Sequence, residues 1–180
     1  MTQPASTYFL ADASPRVVRA TLAVFVDNEA GALARVVGLF SGRGYNIESL
    51  TVAETDHQKH TSRITIVTSG TPRIIEQIKA QLGRLVPVHK VVDLSLDSPG
   101  IERELVLVKV RNQGEQRAEA LRLTEVFRAR VIDITLDSLV LELTGNNSKI
   151  ERFIELLVPL GLVELARTGV VAISRGGEIT

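Results

Sequence analysis

"FVDNEAGALARVVGLFSGRGYNIESL", residues 25–50, decides how the rest of the chain is read. Its first residues close "RATLAVFV", a β-branched and apolar run ending at Val26 that predicts a buried strand. A helix is expected from about Gly31 to Ser41, with Leu33, Val36, Val37 and Phe40 on one face and Arg35 opposite. Gly42 and Gly44 supply the left-handed geometry that ends a helix. "YNIESLTVAET" then alternates Ile47, Leu50 and Val52 with polar residues, which predicts a half-buried strand. The stretch is therefore a strand–helix–strand passage. Whether Asn28-Glu29-Ala30-Gly31 is only a helix cap, or half of a binding site, is open at this point.

Working outward, "DHQKH" is a polar connection and "TSRITIVTSG" a strand with Ile64 and Ile66 in period two. "TPRIIEQIKAQLGRLV" places Pro72 in a first helical turn and a stripe of Ile74, Ile75, Ile78, Leu82 and Leu85 on one face. "VHKVVDLSL" is a further strand, giving βαββαβ. Pro99-Gly100 then interrupts the pattern, and residues 98–101 read as a linker. The same order follows in the second half: strand "ELVLVKVR"; helix "EQRAEALRLTEVFRA" with Ala120, Leu123 and Phe127 inward; strands "RVIDITLD" and "SLVLELTG" around a tight turn near Asp137-Ser138. "NNSKIERFIELLVPLG" is a helix capped by Asn146 or Asn147, with Ile150, Phe153, Ile154 and Leu157 inward. "LVELARTGVVAISRG" is a closing strand broken near Thr168-Gly169. The expected organisation is α+β: two consecutive βαββαβ, ferredoxin-like units at 18–97 and 102–180, after a short flexible leader at 1–17. The repeat is one of structure, since the halves share little residue identity.

Each such unit forms an antiparallel four-stranded sheet with both helices on one face, its first and third strands central and its second and fourth at the edges. The second strand, residues 46–56, is then an exposed edge carrying Glu48, Glu54 and Asp56 but neither lysine nor proline. An apolar edge left open invites pairing. It is expected to pair with its own copy in a second subunit across a two-fold axis, giving a homodimer with one continuous sheet.

Composition narrows the function. The 180 residues are 44% hydrophobic and 23% charged, and Lys plus Arg equals Asp plus Glu at 21 each. That balance argues against nucleic acid or an anionic membrane as the main partner. The absence of cysteine removes disulfides, thiolate metal sites and a cysteine nucleophile, and suits a reducing compartment. No apolar run reaches the ~20 residues of a membrane span. The N-terminus lacks the basic start and apolar core of a secretory signal. The expectation is a soluble cytoplasmic protein.

Catalytic motifs are weak. No Gly-x-Ser-x-Gly elbow, phosphate-binding Gly-Lys-Ser loop or spaced metal motif occurs. His57 and His60 beside Asp56 could be drawn as metal ligands, but they fall in a polar connection, where solvated loop residues are the simpler reading. His89, alone in a strand, is assigned a packing role. "RGG" at 175–177 is a flexible tail, since no helix follows it. The helix start near Gly31 is different. The first N–H groups of a helix have no intrahelical partners, and the positive end of its dipole suits a carboxylate. Gly31 and Ala32 leave room for close approach, and Asn28 can both donate and accept. If two subunits pair at the edge strand, Asn46 and Ile47 of one come near Asn28 and Gly31 of the other. The composite pocket would offer amides to the polar end of a ligand, and Leu33 and Ile47 to a small aliphatic side chain.

At "VDNEAGALARVVGLFSGRGYNIESLTVAETD" the chain strongly resembles the regulatory (small) subunits of acetolactate synthase, also called acetohydroxyacid synthase. The resemblance continues through "SRITIVTSG", "IIEQIKAQLGRLVPVHKVVDL", "ERELVLVKV", "TEVFRARVIDIT" and "ELARTGVVAISRG", from about Val18 onward. It implies that the first unit is an ACT domain, which binds amino acids at dimer interfaces, and that the second is a ferredoxin-like C-terminal domain. It also implies that the chain has no active site or cofactor of its own. Its partner would be a catalytic large subunit using thiamine diphosphate, Mg2+ and FAD. The small subunit would activate that partner and confer feedback inhibition by valine, sometimes by leucine or isoleucine. The implied effector-binding residues are Asn28, Gly31, Ala32 and Leu33 of one subunit with Asn46 and Ile47 of the other. An amino-acid-sensing transcription regulator ranks low, because no helix-turn-helix or basic region is present. A small partner-free ferredoxin-like enzyme would need turnover by the chain alone.

Overall fold

The computed structural model describes residues 16–56, 58, 60–95, 100–111 and 114–177. Most of the expected leader, and His57, lie outside them. The element order is β1 (Val18–Asp27), α1 (Ala32–Arg43), β2 (Ser49–Asp56), β3 (Thr61–Gly70), α2 (Pro72–Leu82), β4 (Val88–Asp93), β5 (Gly100–Arg111), α3 (Gly114–Phe127), β6 (Arg130–Ile134), β7 (Ser138–Gly145), α4 (Asn147–Leu157), β8 (Leu162–Arg167) and β9 (Val171–Ser174). A short 3-10 turn, Val158–Leu160, joins α4 to β8. The first sheet runs β2-β3-β1-β4 and the second β6-β7-β5-β8, all antiparallel, with β9 added to the start of β5. The α+β class, the two βαββαβ units and the central placement of the first and third strands of each are as the sequence predicts.

Alternation builds two cores. On β1 and β3, Ala20, Leu22, Val24 and Val26 with Ile64 and Ile66 face Val36 and Phe40 of α1 and Ile75, Ile78 and Leu82 of α2. In the second unit, Val106, Val108 and Val110 with Leu139, Leu141 and Leu143 face Ala120 of α3 and Ile150, Phe153 and Leu157 of α4. Two helix starts are locally encoded. The Thr71 Oγ1 accepts from Ile74 N–H ahead of Pro72, and the Asn146 Oδ1 accepts from Lys149 N–H at 3.0 Å.

Several expectations shift. Helix α1 begins at Ala32 and extends to Arg43, so Gly42 is inside it and Gly44, at φ 69°, is the C-cap. Its buried stripe is Ala32, Val36 and Phe40, a four-residue spacing that turns Leu33 outward to 40% exposure. Strand β2 starts at Ser49, leaving Asn46 and Ile47 just ahead of it. Of the stretch 98–101 expected as a linker, Gly100 and Ile101 already pair with Ser174 and Ile173 in β5–β9, and 98–99 lie outside the described residues. His89 does not pack: its side chain is about half exposed, and Nε2 lies 2.6 Å from Asp27 Oδ1 on the neighbouring strand.

The two units meet through β5. Its first four residues pair with β9, and from Glu104 onward it pairs with β7. The β5–β9 ribbon covers the face of the first sheet that points away from its helices, where Ala172 and Leu94 bury Ala23 against Phe25 and Val92.

Candidate functional site

The start of α1 is built by a turn. Gly31 adopts φ 88°, ψ −8°, which a residue with a Cβ takes up only with strain. The Gly31 carbonyl accepts from Arg35 N–H at 3.0 Å, and the Glu29 carbonyl accepts from Ala32 N–H at 3.3 Å. Among the described residues no side chain caps this helix. The cap reading of Asn28 therefore does not hold; its own N–H donates to the His60 carbonyl at 2.6 Å, tying β1's end to the β2–β3 connection. A Cβ built on Gly31 would meet nothing within 4 Å. The helix N-terminus is open, glycine-lined and uncapped. Asn28, Gly31 and Leu33 face solvent, while Ala32 is buried beneath them at 3% exposure.

At the other end of α1, Tyr45 N–H donates to the Phe40 carbonyl at 2.9 Å and the two rings meet edge-to-face at 6.1 Å. This packing fixes the path of 44–48. The Asn46 carbonyl accepts from Thr68 Oγ1 at 2.6 Å, Glu48 N–H donates to the Val67 carbonyl at 2.8 Å, and the Ser69 hydroxyl bonds the Glu48 carboxylate. The backbone of Asn46 is thereby held against β3 while its side chain stays exposed, and Ile47 packs partly into the first core. Asn46 and Ile47 lead directly into β2, whose other flank has no strand partner among the described residues. Two clefts among the described residues, of about 490 and 430 Å³, are lined by none of the six candidates.

Those clefts lie where the two units meet, at residues sequence reasoning missed. Val170, between β8 and β9, is gripped by β2: its N–H donates to Ser49 Oγ at 2.8 Å and its carbonyl accepts from Thr51 Oγ1 at 2.9 Å. Beside it Gly169, at φ 83°, sits so close that a Cβ would lie 2.8 Å from Ser49 Oγ. Glu104, 4% exposed, receives Arg167 in a two-pronged bond at 2.9 and 2.7 Å. Arg167 also reaches Glu151 at 2.6 Å and Asn147 at 3.2 Å. These carboxylates, Glu104 foremost, hold the Arg167 guanidinium above its ordinary range against the opposing effect of burial. Arg19 bridges to Glu102 at 3.0 Å across the junction. The break at Thr168-Gly169 was legible in the sequence; what it touches, over a hundred residues away, was not.

Comparison with known proteins now bears on both units. Residues 22–90 match the AHAS small subunit-like ACT domain, and residues 103–176 the small subunit of acetolactate synthase. The chain is 48% identical over 160 residues to the acetolactate synthase small subunit of Haemophilus influenzae, covering 88% of this chain and 97% of that one. It is 46% identical over 163 residues to the acetolactate synthase isozyme 3 small subunit of Escherichia coli, covering 90% and 99%. The crystal structure of the small subunit from Thermotoga maritima superposes with a TM-score of 0.79 at 37% identity, over 89% of this chain and 99% of that one. With similarity of this depth through both units and along nearly the full length of its relatives, the chain belongs to the acetolactate synthase small-subunit family, as an ACT-domain regulatory protein.

Proposed function

We propose that this chain is the feedback-sensing subunit of a cytoplasmic acetolactate synthase. It activates a catalytic subunit carrying thiamine diphosphate, Mg2+ and FAD, and makes that subunit inhibitable by valine. The effector sits between two copies of the first unit, residues 18–97, joined by antiparallel pairing of their β2 edges; the second unit, 102–180, completes the regulatory body. The observation that carries this reading is the start of α1. Where α2 and α4 close their first turns with Thr71 and Asn146, α1 begins at a left-handed glycine with no side-chain cap and open space above it. Free N–H groups at the positive end of a helix dipole suit an α-carboxylate.

Asn28 beside that helix start bonds the carboxylate and ammonium, and Asn46 of the other subunit completes the polar ring. Leu33 and Ile47 form the apolar part that selects a short branched side chain, with Ala32 packed beneath them in the first turn of the helix. Because each chain supplies only part of each pocket, four residues from one and two from the other, occupancy changes the subunit contact. That change is the differential affinity any allosteric ligand needs, typically worth about 1–3 kcal/mol of coupling.

The test is a calorimetric titration of the chain with valine, leucine and isoleucine, with and without the catalytic subunit, on wild type and Gly31→Asp. The substitution puts a negative charge where the carboxylate binds, at a φ that aspartate tolerates better than most residues. Loss of valine binding and of inhibition, with activation retained, is expected. Normal valine inhibition in Gly31→Asp would overturn the site.

A further inference from the structure

The cleft of about 430 Å³ lies between the outer face of β2–β3 and the β5–β9 ribbon. Its lining includes Val52, Ile101, Val171 and Ile173, all 38–57% exposed, together with Arg63 and Arg103. Four large aliphatic side chains left wet around one concavity are a surface that gains by being covered.

Arg63 gives the cleft its chemistry. It projects from β3 opposite Phe25 of β1 and Ala53 of β2. Its guanidinium lies over the Phe25 ring, 5.3 Å from the centroid, and donates to the Ala172 carbonyl. These are neutral partners, and no carboxylate of the described residues lines the cleft. Burial lowers the Arg63 pKa and no acidic neighbour offsets it. A partly desolvated cation with unused N–H donors stabilises whatever anion can reach it. Arg103, whose guanidinium donates to the Glu102 carbonyl at 2.7 Å, adds a second positive charge on the ribbon side.

We propose that this cleft binds a short, branched aliphatic carboxylate without an ammonium group, a 2-oxo or 2-hydroxy acid, through Arg63 and Arg103. The same chemistry argues against an amino acid, because an α-ammonium would find two guanidinium groups and no anionic partner. This site is separate from the amino-acid pocket proposed above and does not depend on it: none of the residues lining the cleft is among the six assigned to that pocket. Its floor belongs to the first unit and its roof to the second, so the acid holds the two units together.

Isothermal titration of the full-length chain with 3-methyl-2-oxobutanoate, and with the neutral ketone 3-methyl-2-butanone, tests the assignment. The acid is expected to bind at one site per chain and the ketone not to bind. Arg63→Gln should weaken the acid about 30-fold, the loss of a charged hydrogen-bond partner. Arg103→Gln, at an exposed position that leaves the fold intact, should weaken it about 5-fold on the same grounds and leave valine binding unchanged. Gly31→Asp should keep acid binding. No binding of the acid, equal binding of the ketone, indifference to both arginine substitutions, or loss of acid binding in Gly31→Asp would each overturn the proposal. So would a Val171→Glu chain that sediments as a smaller species while wild type shows no acid binding, since the cleft would then be a subunit contact.

Discussion

Replacing Gly169 by alanine should loosen the junction between the two units far more than replacing a comparable glycine elsewhere. Two costs are expected at Gly169. At φ 83° an L-residue is strained by about 1–2 kcal/mol. The new Cβ would also lie 2.8 Å from Ser49 Oγ and 3.0 Å from Thr51 Cγ2, so β2 or the β8–β9 connection must move. That movement breaks the two bonds between Val170 and β2, each worth about 0.5–1.5 kcal/mol. Together these give roughly 3 kcal/mol, or about 6–12 °C in Tm for a chain of this size. Gly44→Ala is the control: φ is also positive, 69°, but a Cβ there meets nothing within 4 Å, so only the strain of about 1 kcal/mol remains. Urea and thermal unfolding of both variants, with amide exchange at Val170, separate the contributions. Equal losses in the two variants, or unchanged protection of the Val170 amide in Gly169→Ala, would refute the close approach.

Asn28→Ala should leave unfolding stability within about 0.5 kcal/mol while abolishing valine binding, because Asn28 caps nothing; Asn146→Ala should cost about 1 kcal/mol and spare valine binding. Denaturation paired with calorimetry checks both. Glu104→Gln leaves Arg167 without its strongest partner at a position 4% exposed, and should cost about 2–3 kcal/mol by urea unfolding. Lys109, 2.6 Å from Glu164, holds that carboxyl below its ordinary 4.5 by hydrogen bonding and charge. Since the folded value is the lower, the pair's contribution is complete above about 4.5 and is lost as pH falls through the folded value. Carboxyl NMR should show the Glu164 titration moving up in Lys109→Met.

What the sequence made legible was local. Period-two runs gave the central strands, and Pro72 and the Asn146-Asn147 pair marked two helix starts because such signals are local; the Thr71 cap itself came only with the structure. The strand order followed from handedness once the βαββαβ pattern was read. Errors arose where a distant contact outweighed a local one. His89 read as a packing residue because nothing nearby in sequence announced Asp27, 62 residues away. Leu33 read as inward because its spacing to Val36 and Val37 fits a helical face as well as the Ala32 spacing does. The turn at Gly31 selected between them. Of the candidate site, the residue types and their spacing were legible, whereas the absence of a side-chain cap, which separates a ligand seat from an ordinary helix start, was not.

The two units share a topology yet use their outer sheet faces differently, and β5 is the reason. It is 12 residues long, and its first four residues belong to the ribbon on the first sheet while the remainder is central to the second. At the changeover stands Glu104, buried and held by Arg167 from β8. The first unit cannot turn against the second by bending an exposed linker, because the strand at the changeover is paired on both sides of that point. Nor can β2 slide freely, since Ser49 and Thr51 grip Val170 and the space beside Gly169 is already filled. Packed interiors of this density pass displacement on rather than absorb it. A shift of a few tenths of an ångström in β2, the strand that follows Asn46 and Ile47, must therefore either break the Val170 bonds or carry β8, β9 and the head of β5 with it. The second course keeps both Val170 bonds, and on the function proposed above it would carry an event at the β2 edge to the second unit.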